Sequence, residues 1–258
     1  MRQRIDVHLD YALSGPTDLL LQIEVPDLPD QRVSEVGFET SPVSHSAEVA
    51  AEDGIGNRRW LRAEERFRCD YTVTVEVDRP ALDLAPLEAV PPHLLPPQTV
   101  RHLMPSRYCP SDEFHALVGA EFPGLSGGAL VAAMRDWIEA GFSYVPGSSN
   151  AQTTALDTYV QRQGVCRDYA HVLIAMARAA TIPARFASVY APGVTPPDFH
   201  AVAEVYLAGT WHLVDATGMA TADEIARIGV GQDAAEVAFL SSYGRIDLQA
   251  QSVRVTAL

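Results

Sequence analysis

The stretch CRDYAHVLIAMARAA, residues 166–180, constrains the fold more than any other part of the chain. Residues 170–177 are apolar on nearly every side, and a helix with no polar face has to be surrounded by other elements. Gly164 stands just before it. Pro183 stops it, because the residue before a proline avoids helical geometry. The pattern therefore predicts a central, buried helix. A cysteine occupies its first turn, where unpaired backbone N–H groups and the helix dipole favour negative charge. Such a place raises the thiolate fraction of a thiol. Arg167 adds to that effect and Asp168 opposes it.

Other elements are available to surround this helix. In SGGALVAAMRDWIEAGF, Leu130, Ala133, Met134, Trp137 and Ile138 share one helix face, and Gly141 suits the position after the last turn. TALDTYVQRQG opens on Thr154 with Asp157 three residues on, a capping-box pattern, and ends at Gly164. Strand patterns follow in ARFASVY, HAVAEVYL and WHLVDAT, the last two flanking a hairpin turn. The first third of the chain also reads as β. Phe67, Cys69, Tyr71, Val73, Val75 and Val77 alternate with polar residues, as in a half-buried strand, which makes Cys69 a core residue. RIDVHLDYAL and DLLLQIEV are further strands, and DGIGN is a turn between strands. Prolines from Pro80 to Pro110 forbid a long element between the two halves. The expected fold class is α+β, with an antiparallel β-sandwich over residues 1–95. A second domain, of helices followed by strands, is expected over residues 96–258.

Hydrophobic residues make up 47% of the 258, enough for sizeable cores. The net charge of −14 argues against nucleic acid and anionic membrane surfaces as partners. All 19 basic residues are Arg; there is no Lys. Cys69, Cys109 and Cys166 lie 40 and 57 residues apart, which fits no disulfide or zinc pattern. The alternating N-terminal residues do not resemble a signal peptide, and no run is apolar enough to span a bilayer. A soluble, reduced, cytoplasmic protein is expected, in which a single thiol can stay reactive.

A nucleophilic thiol needs a base. His171, five residues along the same helix, is turned about 140° from Cys166 and cannot readily face it. A two-residue loop at Ala208 and Gly209 sets Leu207 opposite Thr210 and Val202 opposite Asp215. His200 then shares a face with Asp215 at diagonal range, and a one-residue slip would part them. The expected set is Cys166 as nucleophile, His200 as general base and acid, and Asp215 as the group that orients His200. An oxyanion site would use the Cys166 N–H and a second donor, Gln152 or Asn150. Arg167 and Tyr169 are read as pocket residues, with Arg167 pairing either with Asp168 or with substrate. Cys166, His200, His212 and Asp215 could in principle ligate a metal, but His200 and His212 face opposite sides in this register. No metal or cofactor is expected.

These residues resemble the transglutaminase-like superfamily, in its bacterial cysteine-protease branch. The resemblance rests on GVCRDYAHVLIAMARAATIPARF, HAVAEVYL and WHLVDATG, in the order Cys, His, Asp and spaced 34 and 15 residues. It covers residues 128–218 well, and DGIGNRRW extends it to the N-terminal half. It implies a papain-like core and acyl transfer through a thioester on a peptide or protein amide, ending on water or on an amine. Val202 stands where many relatives carry Trp, and Ala216 and Gly218 where many carry Pro and Asn. These departures bear on substrate choice rather than on the triad. A retained fold without catalysis, serving as a scaffold, is the remaining reading.

Overall fold

The computed structural model describes residues 1–81 and 83–258. The first half builds β1 (Arg2–Leu13), β2 (Thr17–Leu21), β3 (Gln31–Thr40), β4 (His45–Ala50), β5 (Asn57–Ala63) and β6 (Arg66–Val77). Alternation works as expected. Ile5, Val7, Leu9 and Tyr11 of β1 lie opposite Val73, Tyr71, Cys69 and Phe67 of β6, all facing a common core. Leu19, Leu21, Leu61 and Ala63 close that core from β2 and β5.

Among its described residues the proline-rich stretch holds 3-10 turns and the short α1 (Pro97–Val100). Helices α2 (His115–Glu121) and α3 (Gly127–Gly141) follow. Then come β7 (Ser143–Tyr144), α4 (Ala155–Gln161), β8 (Gln163–Gly164) and α5 (Cys166–Ala179). The sequence pattern carried α4 on to Gly164. The helix ends earlier because Arg162 adopts a left-handed conformation, φ 55°, at its C-cap. The Arg162 guanidinium lies 4.5 Å from the ring centroids of both Trp137 and Tyr159, and those contacts help hold a conformation that a non-glycine residue disfavours.

The second sheet comprises β9 (Ala184–Tyr190), β10 (His200–Leu207), β11 (Thr210–Val214) and β12 (Ala226–Gly231), in the order β11-β10-β9-β12. Helix α5 packs on one face of it, against Ala184, Phe186, Ala201, Ala203, Val205 and Leu207. Every residue from Tyr169 to Arg178 is buried, as a helix without a polar face requires. Tyr190, Ala226 and Ile228 join the sandwich core from the other side, so the sheet is shared between both halves.

The expected boundary differs from the structure at the far end. β13 (Leu240–Ser242) pairs with β2, and β14 (Ile246–Ala257) pairs with β1. Each sandwich sheet thus has four strands, β14-β1-β6-β3 and β13-β2-β5-β4. Residues 240–257 therefore belong to the sandwich rather than to the helix-bearing half. Two physical reasons hide this return. β14 is an edge strand with Val253 its one buried residue. A bulge where Asp10 meets Ala250 and Tyr11 meets Leu248 also shifts its alternation out of phase midway.

Charged residues join the halves. Arg185 of β9 bonds Glu204 of β10 at 2.7 Å and Asp53 of the sandwich at 2.8 Å. Arg227 bonds Glu204 at 2.9 Å and also Asp30, which Arg79 holds at 2.7 Å.

Candidate active site

Cys166 is the first residue of α5, after Val165 in extended conformation. Asp168 explains how the helix starts. Its Oδ2 accepts the Val165 N–H at 2.9 Å, and its Oδ1 accepts Arg167 Nε at 3.1 Å and Nη2 at 2.8 Å. The carboxylate that opposes a thiolate in sequence is thus a neutralised cap that fixes the turn. Gly164 serves the same cap. A Cβ there would lie 2.7 Å from the Asp168 Cβ, so the glycine makes room for the side chain. Among the described residues no carbonyl accepts the Cys166 N–H.

His200 opens β10 and its imidazole is buried. The turn at Ala208 and Gly209 has φ 48° and 84°, the left-handed geometry that matches a twisted hairpin. It puts Leu207 opposite Thr210 and Ala203 opposite Val214, the expected register. His200 Nε2 and Asp215 Oδ2 are 2.9 Å apart. Asp215 also accepts the Thr217 N–H at 2.8 Å and hydroxyl at 2.7 Å on Oδ1, and the Ala220 N–H at 3.0 Å on Oδ2. Burial disfavours its charge, but His200 and Thr217 override it and hold the carboxyl below its ordinary value.

Burial likewise opposes charge on His200, and the bond to Asp215 and the neighbouring Cys166 thiol overcome it. The imidazole is raised to about 10. Among the described residues Nδ1 has no hydrogen-bond partner, while Nε2 is taken by Asp215. The arrangement is a thiol beside an imidazole whose far nitrogen is anchored to a saturated carboxylate.

The other singled-out residues are placed as follows. Arg167 pairs with Asp168 and donates to the Asn150 carbonyl at 2.8 Å, tying the loop before α4 to α5. Asn150 spends its side-chain oxygen on the Gln152 N–H at 2.8 Å, and the Gln152 residue is exposed. Tyr169 is buried, its ring 5.7 Å from Phe142 and 6.0 Å from Tyr144, so it is a packing residue facing inward. His171 is buried too, stacked 5.1 Å from Tyr108, and burial lowers it to about 3. His212 bonds the Leu207 carbonyl at 3.1 Å rather than facing the thiol. A cavity of about 700 Å³ follows the edge of β11 and touches the site only through Asp215; neither Cys166 nor His200 lines it.

Sequence patterns missed Tyr144. It pairs with Gly164 across the β7–β8 ladder and lies against Cys166. Two-residue strands are too short to leave a period in sequence.

A cysteine on a buried helix, opposed by a His–Asp pair on an antiparallel sheet, defines the papain-like class of folds. The transglutaminase-like superfamily model matches residues 124–216. The solved structure of a protein titled "Putative Cysteine Protease", from Cytophaga hutchinsonii, superposes with a TM-score of 0.94 at 33% identity, covering 100% of this chain and 91% of that one. An uncharacterized protein of Mycobacterium leprae is 31% identical over 132 residues, 46% of this chain and 47% of its own length. The chain thus spans about half the length of that curated relative. The chain belongs to the transglutaminase-like superfamily.

Proposed function

We propose that this chain is a cysteine-dependent amide hydrolase acting on peptide or protein substrates through a thioester. The observation that carries the reading is His200, anchored to Asp215 through Nε2 at 2.9 Å, with Nδ1 unpartnered and the Cys166 thiol beside the ring. The thiol proton passes to His200, and the sulfur lone pair attacks the amide carbon. The carbonyl electron pair moves onto oxygen. When it returns, the C–N bond breaks and His200 gives its proton to the leaving amine. Water, deprotonated by the same imidazole, then attacks the thioester and releases the acid and the thiol. Asp215 holds one ring orientation throughout and stabilises the imidazolium.

The acceptor of the acyl group is the remaining choice, and one experiment decides it. Wild type and Cys166→Ala are compared on a peptide library, with and without an added primary amine. Cysteine-dependent cleavage is the expected result. Amine incorporation in place of cleavage assigns a transferase. Equal behaviour of the two proteins assigns a scaffold and overturns the reading.

A further inference from the structure

Strand β11 is an edge of its sheet, and that edge is open. The Tyr206 N–H bonds the Pro183 carbonyl at 2.8 Å, on the β9 side of β10. Backbone groups alternate in direction along a strand, so Leu207, Val205 and Ala203 turn theirs toward β11, where they meet Thr210, His212 and Val214. Trp211 and Leu213 then point theirs the other way. Among the described residues nothing bonds the N–H or the carbonyl of either. A bare edge is a template for another strand, and proteins commonly blunt it with a bulge, a proline or a charge. The edge strands β3, β12 and β14 each carry a bulge. Strand β11, with the sequence TWHLV, has neither bulge, proline, Arg nor acid.

The open edge lies in the cavity of about 700 Å³, which all five residues of β11 line. The other walls offer what a bound backbone and its side chains need. Arg79 Nη2 and Arg227 Nε are buried without a hydrogen-bond partner among the described residues, and both residues line the cavity as donors for peptide carbonyls. Arg79 and Arg227 neutralise Asp30, Arg227 also pairs with Glu204, Arg135 with Asp136, and Asp215 with His200. Glu139 and Asp223 are left without an ion-pair partner among the described residues, and Asp223 Oδ1 is buried with no hydrogen bond. Those two carboxylates favour a basic guest. A second copy of this chain, with a net charge of −14 and no Lys, fits poorly. Neither Cys166 nor His200 lines the cavity, so a segment held there is not offered to the thiol.

We propose that the edge of β11 is a docking site for an extended, basic segment of a partner protein. The segment adds a strand beside Trp211 and Leu213 and pairs its Arg or Lys side chains with Glu139 and Asp223. Five residues at about 3.4 Å each give a contact roughly 17 Å long.

The probe is a fluorescein-labelled peptide of about eight residues that alternates Val and Arg, long enough to cover the strand. Fluorescence polarisation measures its binding to the full chain carrying Cys166→Ala, so that no cleavage interferes. Saturable binding is expected, and replacing every Arg of the probe by Glu should abolish it. N-methylating the probe backbone should weaken binding by roughly tenfold or more, since the added strand loses its donors while its charge stays. Glu139→Gln and Asp223→Asn should each weaken it by about two- to fivefold. Amide exchange followed by NMR reads the place. Bound probe should slow Trp211 and Leu213 by roughly tenfold and leave Thr210, His212 and Val214, already bonded to β10, unchanged. No saturable binding overturns the proposal, as does binding without that protection or an affinity that neither carboxylate variant changes. Equal binding of the N-methylated probe assigns loose charge attraction and overturns it too. Protection of Trp211 and Leu213 that rises with protein concentration alone assigns a second copy instead. Wild type alkylated at Cys166 should match Cys166→Ala; weaker binding assigns the thiol site and overturns the docking edge.

Discussion

Three thiols share this chain, and their surroundings set them apart. Cys69 and Cys109 are fully buried, and burial pushes both up to about 12, whereas Cys166 is half-buried at a helix N-terminus. Iodoacetamide at neutral pH should therefore label Cys166 first in the native protein. Mass spectrometry of peptides taken at early times measures the order, and equal labelling of all three counts against an activated thiol. The His200–Asp215 pair makes a second prediction. The imidazole rises from its ordinary 6.5, so its contribution to stability is complete below 6.5 and fades as pH climbs toward about 10. The carboxyl lies below its ordinary 3.8, so its contribution is present above 3.8 and is lost as pH falls through its lowered value. Asp215→Asn should cost roughly 3–5 kcal/mol, the usual penalty for breaking a buried pair. Urea midpoints taken across pH should show the largest gap between about 4 and 6.5, narrowing toward alkaline pH.

Among the elements, the start of α5 is the most demanding. The β7–β8 ladder, Gly164 and the Asp168 cap act as one turn, so a methyl group at position 164 strikes the side chain that caps the helix. Gly164→Ala should destabilise by about 1–3 kcal/mol, typical of overpacking, and should also slow thiol labelling because Cys166 moves with the cap. Equilibrium unfolding and the alkylation rate measure the two effects; a stability loss with unchanged labelling would separate the cap from the site. What was legible in sequence here was local. Thr154 and Asp157 form the capping box as read, with the Asp157 N–H on the Thr154 hydroxyl at 3.3 Å. The hairpin register followed from the loop length, because a two-residue turn at Ala208 and Gly209 fixes Leu207 opposite Thr210 and so the face that His200 and Asp215 share. Tyr144 was invisible because nothing in residues 143–164 signals that their ends touch. β14 was invisible because it gains its order from β1, and a bulge disguises its alternation.

At the scale of the molecule, the two halves meet through buried charge. Glu204 is fully buried, and burial would raise it, yet the charges of Arg185 and Arg227 keep it below its ordinary value. Arg185 also covers the face of Trp211, its guanidinium 4.1 Å from the ring centroid. Arg185→Ala should therefore cost about 3–5 kcal/mol, since it leaves a buried carboxylate with one partner. Because Glu204 lies below its ordinary 4.5, that penalty should be full above 4.5 and shrink as pH falls through the lowered value. Thermal melts of both proteins at several pH values check the size and the trend. The return of β13 and β14 to β2 and β1 has its own consequence. Residues 78–239 form a long excursion, clamped by the sandwich at both ends. A protease that cuts once in the proline-rich segment would sever the chain and free nothing, for the far end is still stitched to the first strand. A nicked protein should therefore run through a sizing column as one particle.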